Sequence, residues 1–111
     1  MPAKSVSIQI SNVHESALSQ SNAVRAAKQY IHTMPFSRTG LINQLKFDGY
    51  SRKDATYAVD HIRANWNTEA VLAAKQYLKT MPFSRSSLIG QLVFDGFTKA
   101  QATYGVKKSG L

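Results

Sequence analysis

The chain is 111 residues long, 43% hydrophobic and contains no cysteine, so disulfides and thiolate metal sites are excluded, and there is room for one ordinary domain or two very small modules. A formal net charge of +8 either serves solubility or favours a polyanionic partner: nucleic acid, anionic lipid or an acidic protein face. No apolar run approaches the length of a membrane span, and the opening MPAKSVSIQISNVHES lacks the basic-then-apolar order of a signal peptide.

Residues 1–22 read as an N-terminal arm, helical in part. Ser5–Ile10 alternates polar and apolar residues, the pattern of a short strand or extended arm. Asn12 with Glu15 three residues on has the form of a capping box and predicts a helix start near Val13.

From Ala23 the chain runs AVRAAKQYIHTMPFSRTGLINQLKFDGYSRKDATYAV, and from Ala70 it runs AVLAAKQYLKTMPFSRSSLIGQLVFDGFTKAQATYGV. An offset of about 47 residues marks a duplicated supersecondary unit. Each copy opens with a helical stripe, Val24, Ala27, Ile31 and Met34 in the first and Val71, Ala74, Leu78 and Met81 in the second. Pro35 and Pro82 stop that helix, since proline has no N–H and disfavours helical geometry in the residue before it. Ser37 and Ser84 are N-caps for a second helix, which carries Leu41 and Leu45, or Leu88 and Leu92. Gly49 and Gly96 end it in the left-handed conformation that glycine adopts most cheaply.

Ser51 and Thr98 then cap a third helix, with Asp54 and Gln101 at the capping-box position. Its apolar stripe is Ala55, Ala58, Val59 and Ile62 in the first copy and Ala102, Gly105 and Val106 in the second. A glycine inside a helix costs about 1 kcal/mol against alanine, so the last helix is expected to fray. Between the copies, Asn67 is the expected cap of the next helix, and Trp66 is expected to staple onto Val71.

The prediction is an all-α chain of two tandem three-helix, helix-turn-helix-like repeats with a short N-terminal arm: repeat 1 over 23–64, then linker and repeat 2 over 65–111. A unit of about 40 residues buries little surface alone. The copies must therefore pack on each other, or each must be unusually compact. Pro35, Gly49, Trp66, Pro82 and Gly96 are the structural punctuation of this plan.

The residues argue against an enzyme. His32 and His61 become Lys79 and Lys108 in the second copy, His14 stands apart, and no histidine has the spacing and acidic neighbours of a metal site. Asp48 and Asp95 recur before the turn glycine and read as turn residues bonding nearby backbone. No phosphate-cradling loop or nucleophile elbow occurs, so no catalytic, cofactor-binding or metal-binding residue is assigned. Phe36/Phe83, Phe47/Phe94 and Tyr50/Phe97 are expected in the core. Tyr57 and Tyr104 lie off the third helix's apolar stripe and are expected to face outward.

Helix, glycine turn and helix also outline a DNA-reading motif, whose second helix would enter the major groove. That face offers Arg52, Lys53, Thr56 and Tyr57 in the first copy and Lys99, Gln101, Thr103 and Tyr104 in the second, with Lys107 and Lys108 near phosphate. Leu45 and Leu92 are bulky where such motifs want alanine, and Asp54 and Asp60 would repel phosphate. Lys28/Lys75 and Arg38/Arg85 recur in both copies and read as solvated cations.

The run NWNTEAVLAAKQYL, then PFSRSSLIGQL, then FDGFTKAQATYGV resembles the repeat of the Ltp-type host cell surface-exposed lipoprotein family. The likeness covers Ala23–Ile62 and Trp66–Val106, and the first copy has Ser19 and Gln20 in place of the Trp-Asn start. The resemblance implies tandem three-helix units. It also implies a phage or prophage protein of superinfection exclusion, displayed outside the membrane of a Gram-positive host, where it blocks DNA injection by an incoming phage. The implied partner is a phage or cell-envelope protein, such as an injected phage component. The family's lipid-bearing cysteine and signal segment are absent from this sequence. Surface display is expected if such a segment lies outside this chain, and a cytoplasmic location otherwise. A protein-binding module is therefore the favoured reading. A small regulator binding double-stranded DNA is the alternative, and adhesion to anionic membrane is a third. The copies share their scaffold and differ outward, as in Lys46 against Val93 and Arg52-Lys53-Asp54 against Lys99-Ala100-Gln101.

Overall fold

The computed structural model describes the backbone of residues 2–111 and the side chains of residues 17–111. Six α-helices follow one another: α1 (Pro2–Thr33), α2 (Arg38–Phe47), α3 (Arg52–His61), α4 (Trp66–Thr80), α5 (Arg85–Phe94) and α6 (Lys99–Lys108). Among the described residues there is no strand. The fold is all-α, with α1–α3 and α4–α6 as two tandem three-helix repeats.

α1 begins at Pro2 and continues into the first repeat, in place of a strand at 5–10 and a helix start near Val13. No glycine or proline interrupts the chain between Ala3 and Thr33, so nothing breaks the helix. The side chains of the Asn12 and Glu15 capping pair lie outside the described residues.

The other boundaries follow from capping chemistry. Ser37, Ser51, Ser84 and Thr98 each have extended backbone and accept a hydrogen bond from the N–H three residues on. Ser84 with Ser87 and Thr98 with Gln101 form complete, reciprocal capping boxes. α2 and α5 end alike. The N–H of Tyr50 donates to Leu45 O and that of Gly49 to Lys46 O, and Phe97 and Gly96 repeat the pattern on Leu92 and Val93. This Schellman closure places its glycine in the left-handed region, at φ 105° for Gly49 and 108° for Gly96.

The start of α4 differs from expectation. Asn65 is the N-cap, its Oδ1 accepting from Thr68 N at 3.1 Å, so Asn67 lies inside the helix. Trp66 is the first helical residue and packs on the core of repeat 1 instead of stapling onto Val71. The indole thereby ties the second repeat to the first.

Each repeat has its own core. Ala23, Ala27, Leu41, Leu45, Ala55, Ala58 and Val59 form the first, and Ala70, Ala74, Leu88, Leu92, Phe97, Ala102 and Val106 the second. Small residues on the first and third helices let them approach closely, while the leucine pair of the middle helix fills the wedge between them. Gly105 takes this furthest. A Cβ there would lie 2.6 Å from the carbonyl carbon of Ala70, closer than real Cβ contacts come. α6 therefore runs through Gly105 to Lys108 without fraying, because the missing side chain admits the backbone of α4. Ala58 holds the equivalent place in repeat 1.

Met34 and Met81, expected at the end of the buried stripe, are about half exposed, because the helix unwinds before the adjacent proline and turns them off the core.

Two compact units are thus joined by a small latch. Ser37 Oγ donates to Asp95 O at 2.7 Å, and Thr39 Oγ1 donates to Gly96 O at 2.9 Å. Phe36 N donates to Glu69 Oε1 at 3.0 Å. The first turn of α2 is thereby seated on the α5–α6 corner.

Candidate functional site

Of the large apolar side chains exposed in both copies, the most exposed stand at the corner between the second and third helices. Phe47 and Phe94, the last residues of α2 and α5, are 86% and 85% exposed. Both were expected in the core. Each lies two residues beyond a fully buried leucine, Leu45 or Leu92, and helix residues two apart do not share a face. That offset was legible in the sequence and is the signal that finds them.

Each corner is braced from below by the same polar triad. Asp48 accepts from Tyr30 Oη at 2.5 Å and from Gln44 Nε2 at 3.1 Å. Asp95 accepts from Tyr77 Oη at 2.5 Å and from Gln91 Nε2 at 3.0 Å. The carboxylates were expected to bond nearby backbone; instead they clamp the corner to the first helix of their own repeat. Burial, then the Asp95 carboxylate, pushes the Tyr77 hydroxyl up to about 12. The Asp48 carboxylate, with burial second, raises that of Tyr30. Both hydroxyls therefore stay protonated and remain donors at neutral pH. Edge-to-face rings, Tyr30 on Phe36 and Tyr77 on Phe83 at 5.5 Å, complete the brace, so Phe36 and Phe83 are half-buried as part of it.

Cations stand on the far side of each turn. Arg52 and Lys53 are exposed at the start of α3, and Lys99 at the start of α6. Further along, Tyr57 and Tyr104 face outward, 43% and 42% exposed. Tyr57 stacks on His61 at 5.2 Å, and Lys108 Nζ lies 5.8 Å above the Tyr104 ring. Lys107 is exposed. Gln101 is half-buried and caps α6, its Oε1 accepting from Thr98 N at 2.9 Å. Thr56 is half-buried and Thr103 exposed.

Arg38 and Arg85, read as solvated cations, are tethered. Arg38 makes a bidentate pair with Asp60 at 2.7 and 2.9 Å, which holds the Asp60 carboxyl below its ordinary range. Arg85 donates to the Leu111 carbonyl at 3.0 and 2.8 Å. Among the described residues, no group of three or more His, Asp or Glu is placed to hold a metal ion, and no helix is long and apolar enough to cross a membrane.

The geometry defines a class: a tandem three-helix repeat protein whose two braced corners each present an exposed phenylalanine beside cations. The family model described as host cell surface-exposed lipoprotein, Ltp type, matches twice, over residues 19–62 and 65–108. The chain belongs to that family, which is not a known enzyme family. Among solved structures it is similar to Ltp, a superinfection exclusion protein from the Streptococcus thermophilus temperate phage TP-J34. That chain is 40% identical with a TM-score of 0.75, over 80% of this chain and 93% of the other. Comparison with curated protein sequences gave no match.

Proposed function

We propose that this chain acts in superinfection exclusion, by binding a protein component of an incoming phage and blocking entry of its DNA. Its relation to the Ltp superinfection exclusion protein at 40% identity is the observation that carries the reading. The contact surface we assign is the pair of corners: Phe47 with Arg52 and Lys53, and Phe94 with Lys99. Tyr57, Tyr104, Lys107 and Lys108 extend it along α3 and α6.

The physical argument is cost. Phe47 and Phe94 leave nearly all of their side-chain area in water at equivalent places in both copies, and a partner that buries those rings gains that area as binding energy. Aromatic anchors with cations across the turn suit an apolar partner surface bordered by acidic residues. The corner is rigid before binding, held by the Tyr–Asp–Gln triad, so little ordering entropy opposes docking. The family's description as host cell surface-exposed supports this reading, since an injected component would first be met there.

The experiment is to display the chain on a host through an added export and anchor segment and to plate a panel of phages. Reduced plating of at least one phage is expected, with adsorption unchanged, and the same chain kept in the cytoplasm should protect less. Equal plating with and without the displayed chain across the panel contradicts the reading.

A further inference from the structure

The two repeats carry the same cleft, and only one of them is walled by the neighbouring repeat. In repeat 2 a cleft of about 450 Å³ is lined by Ala73, Gln76, Tyr77, Thr80, Asp95 and Phe97, and Met34–Ser37 of repeat 1 form its opposite wall. In repeat 1 a cleft of about 430 Å³ is lined by the same six positions 47 residues earlier, from Ala26 and Tyr30 to Asp48 and Tyr50, with no opposite wall among the described residues.

Burial follows this difference. Phe97 is 4% exposed, and Asp95 and Gly96 are half-buried, whereas Tyr50 is half-buried and Asp48 and Gly49 are exposed. On the other half of the latch, Ser37 is 3% exposed and Pro35 half-buried, while their counterparts Ser84 and Pro82 are exposed. The chain therefore displays an unused turn at one end and an unused cleft at the other, and the mating of those two surfaces is already present inside the molecule.

We propose that a second copy of this chain fills the open cleft. The Met81–Ser84 turn of one copy docks against Tyr30, Asp48 and Tyr50 of the next, head to tail. The acceptors of the internal latch are the carbonyls of Asp95 and Gly96, so Asp48 and Gly49 supply the same groups. The donors are hydroxyls at positions 37 and 39, and Ser84 and Ser86 supply hydroxyls at the equivalent places. Because turn and cleft are different surfaces, the contact is heterologous and can continue from copy to copy.

The external contact is weaker than the internal one, for three reasons on the same surfaces. It lacks the tether that gives the internal latch a high effective concentration. Ser84 Oγ now donates to Ser87 Oγ at 2.8 Å and must exchange that bond for Asp48 O. Beside the internal cleft Leu72, Lys75 and Lys79 line a groove with His32; at the equivalent places Arg25, Lys28 and His32 would line one with Lys79 of the other copy. That repulsion between cations is screened by salt, so association strengthens as ionic strength rises.

The test is sedimentation velocity of the full chain over a concentration series at low and high salt, beside two variants at exposed positions. Ser86→Arg blocks the turn and Thr33→Arg blocks the cleft; neither side chain is in a core, and circular dichroism verifies the fold. The parent's mean mass should climb past a dimer with concentration, and more so at high salt. Each variant alone should stay monomeric. An equimolar mixture of the two should form a dimer and stop there, since one copy keeps the cleft and the other keeps the turn. A parent that stays monomeric to millimolar concentration overturns the proposal. So does association that survives both substitutions, or a mixture that remains monomeric.

Discussion

Gly49 and Gly96 have nearly the same φ, close the same turn and follow the same Phe-Asp pair, yet they sit in different surroundings. Nothing lies near the place where a Cβ of Gly49 would stand, whereas one on Gly96 would strike Thr39 Oγ1 and Ser37 Oγ of repeat 1. Local structure is set by the repeated residues, and the environment is set by which neighbour each copy has. Repeat 1 seats its first α2 turn on the α5–α6 corner of repeat 2, whereas its own α2–α3 corner stays open and repeat 2 returns only Trp66, to the core of repeat 1.

The strongest way to break this comparison is through the two cores. Leu45 and Leu92 are fully buried in separate clusters. Replacing either with alanine should cost about 2–5 kcal/mol. Hydrogen exchange should then place the lost protection mainly in α2–α3 for Leu45→Ala and in α5–α6 for Leu92→Ala. Equal loss across both repeats would mean one shared core.

The glycines sharpen it next. Gly49→Ala should cost about 1–2 kcal/mol, the penalty of a left-handed alanine. Gly96→Ala should lower the melting temperature further, because Ser37 and Thr39 must also move. Equal shifts would mean the latch contributes nothing.

The braces should differ less. Tyr77→Phe removes the donor to Asp95 in a partly buried site and should cost about 1 kcal/mol. Tyr30→Phe, in the open cleft, should cost less, measured by urea unfolding.

Glu69 gives the smallest effect and has no counterpart, since repeat 1 carries Asn22 at that place. Burial raises the Glu69 carboxyl, with the Phe36 N–H opposing. The folded state therefore binds more protons than the unfolded one between the ordinary carboxylate range and the raised value, so stability falls as pH rises through that window. Glu69→Gln keeps the acceptor oxygen and should flatten that slope in pH-dependent melts. An unchanged slope would assign it to another group.

Much of this fold is legible in the residues. Four caps, two proline stops and two glycine closures stand where the chain says they should, because each depends on chemistry within a few residues. What escapes is what depends on a neighbour. Asn65 outcompetes Asn67 because Trp66 is drawn onto the first core and fixes the helix start ahead of it. Gly105 reads as a weak point until α4 is seen lying against it. The latch is invisible because Pro-Phe-Ser-Arg occurs in both copies and only one copy uses it. At the candidate site the outward tyrosines and cations are foreseeable, whereas Phe47 and Phe94 are lost to the habit of assigning aromatics to cores.

The assignment of the corners as the contact surface rests on those two phenylalanines, whose exposure outside both cores makes them separable from the fold. The direct measurement is the amount of phage DNA entering cells that display the parent chain or the Phe47→Ser/Phe94→Ser variant, with adsorption and displayed amount matched. DNA entry should fall with the parent and return to the level of undisplayed cells with the variant. Entry that stays equally low with the variant would contradict the assignment of the corners as the partner surface.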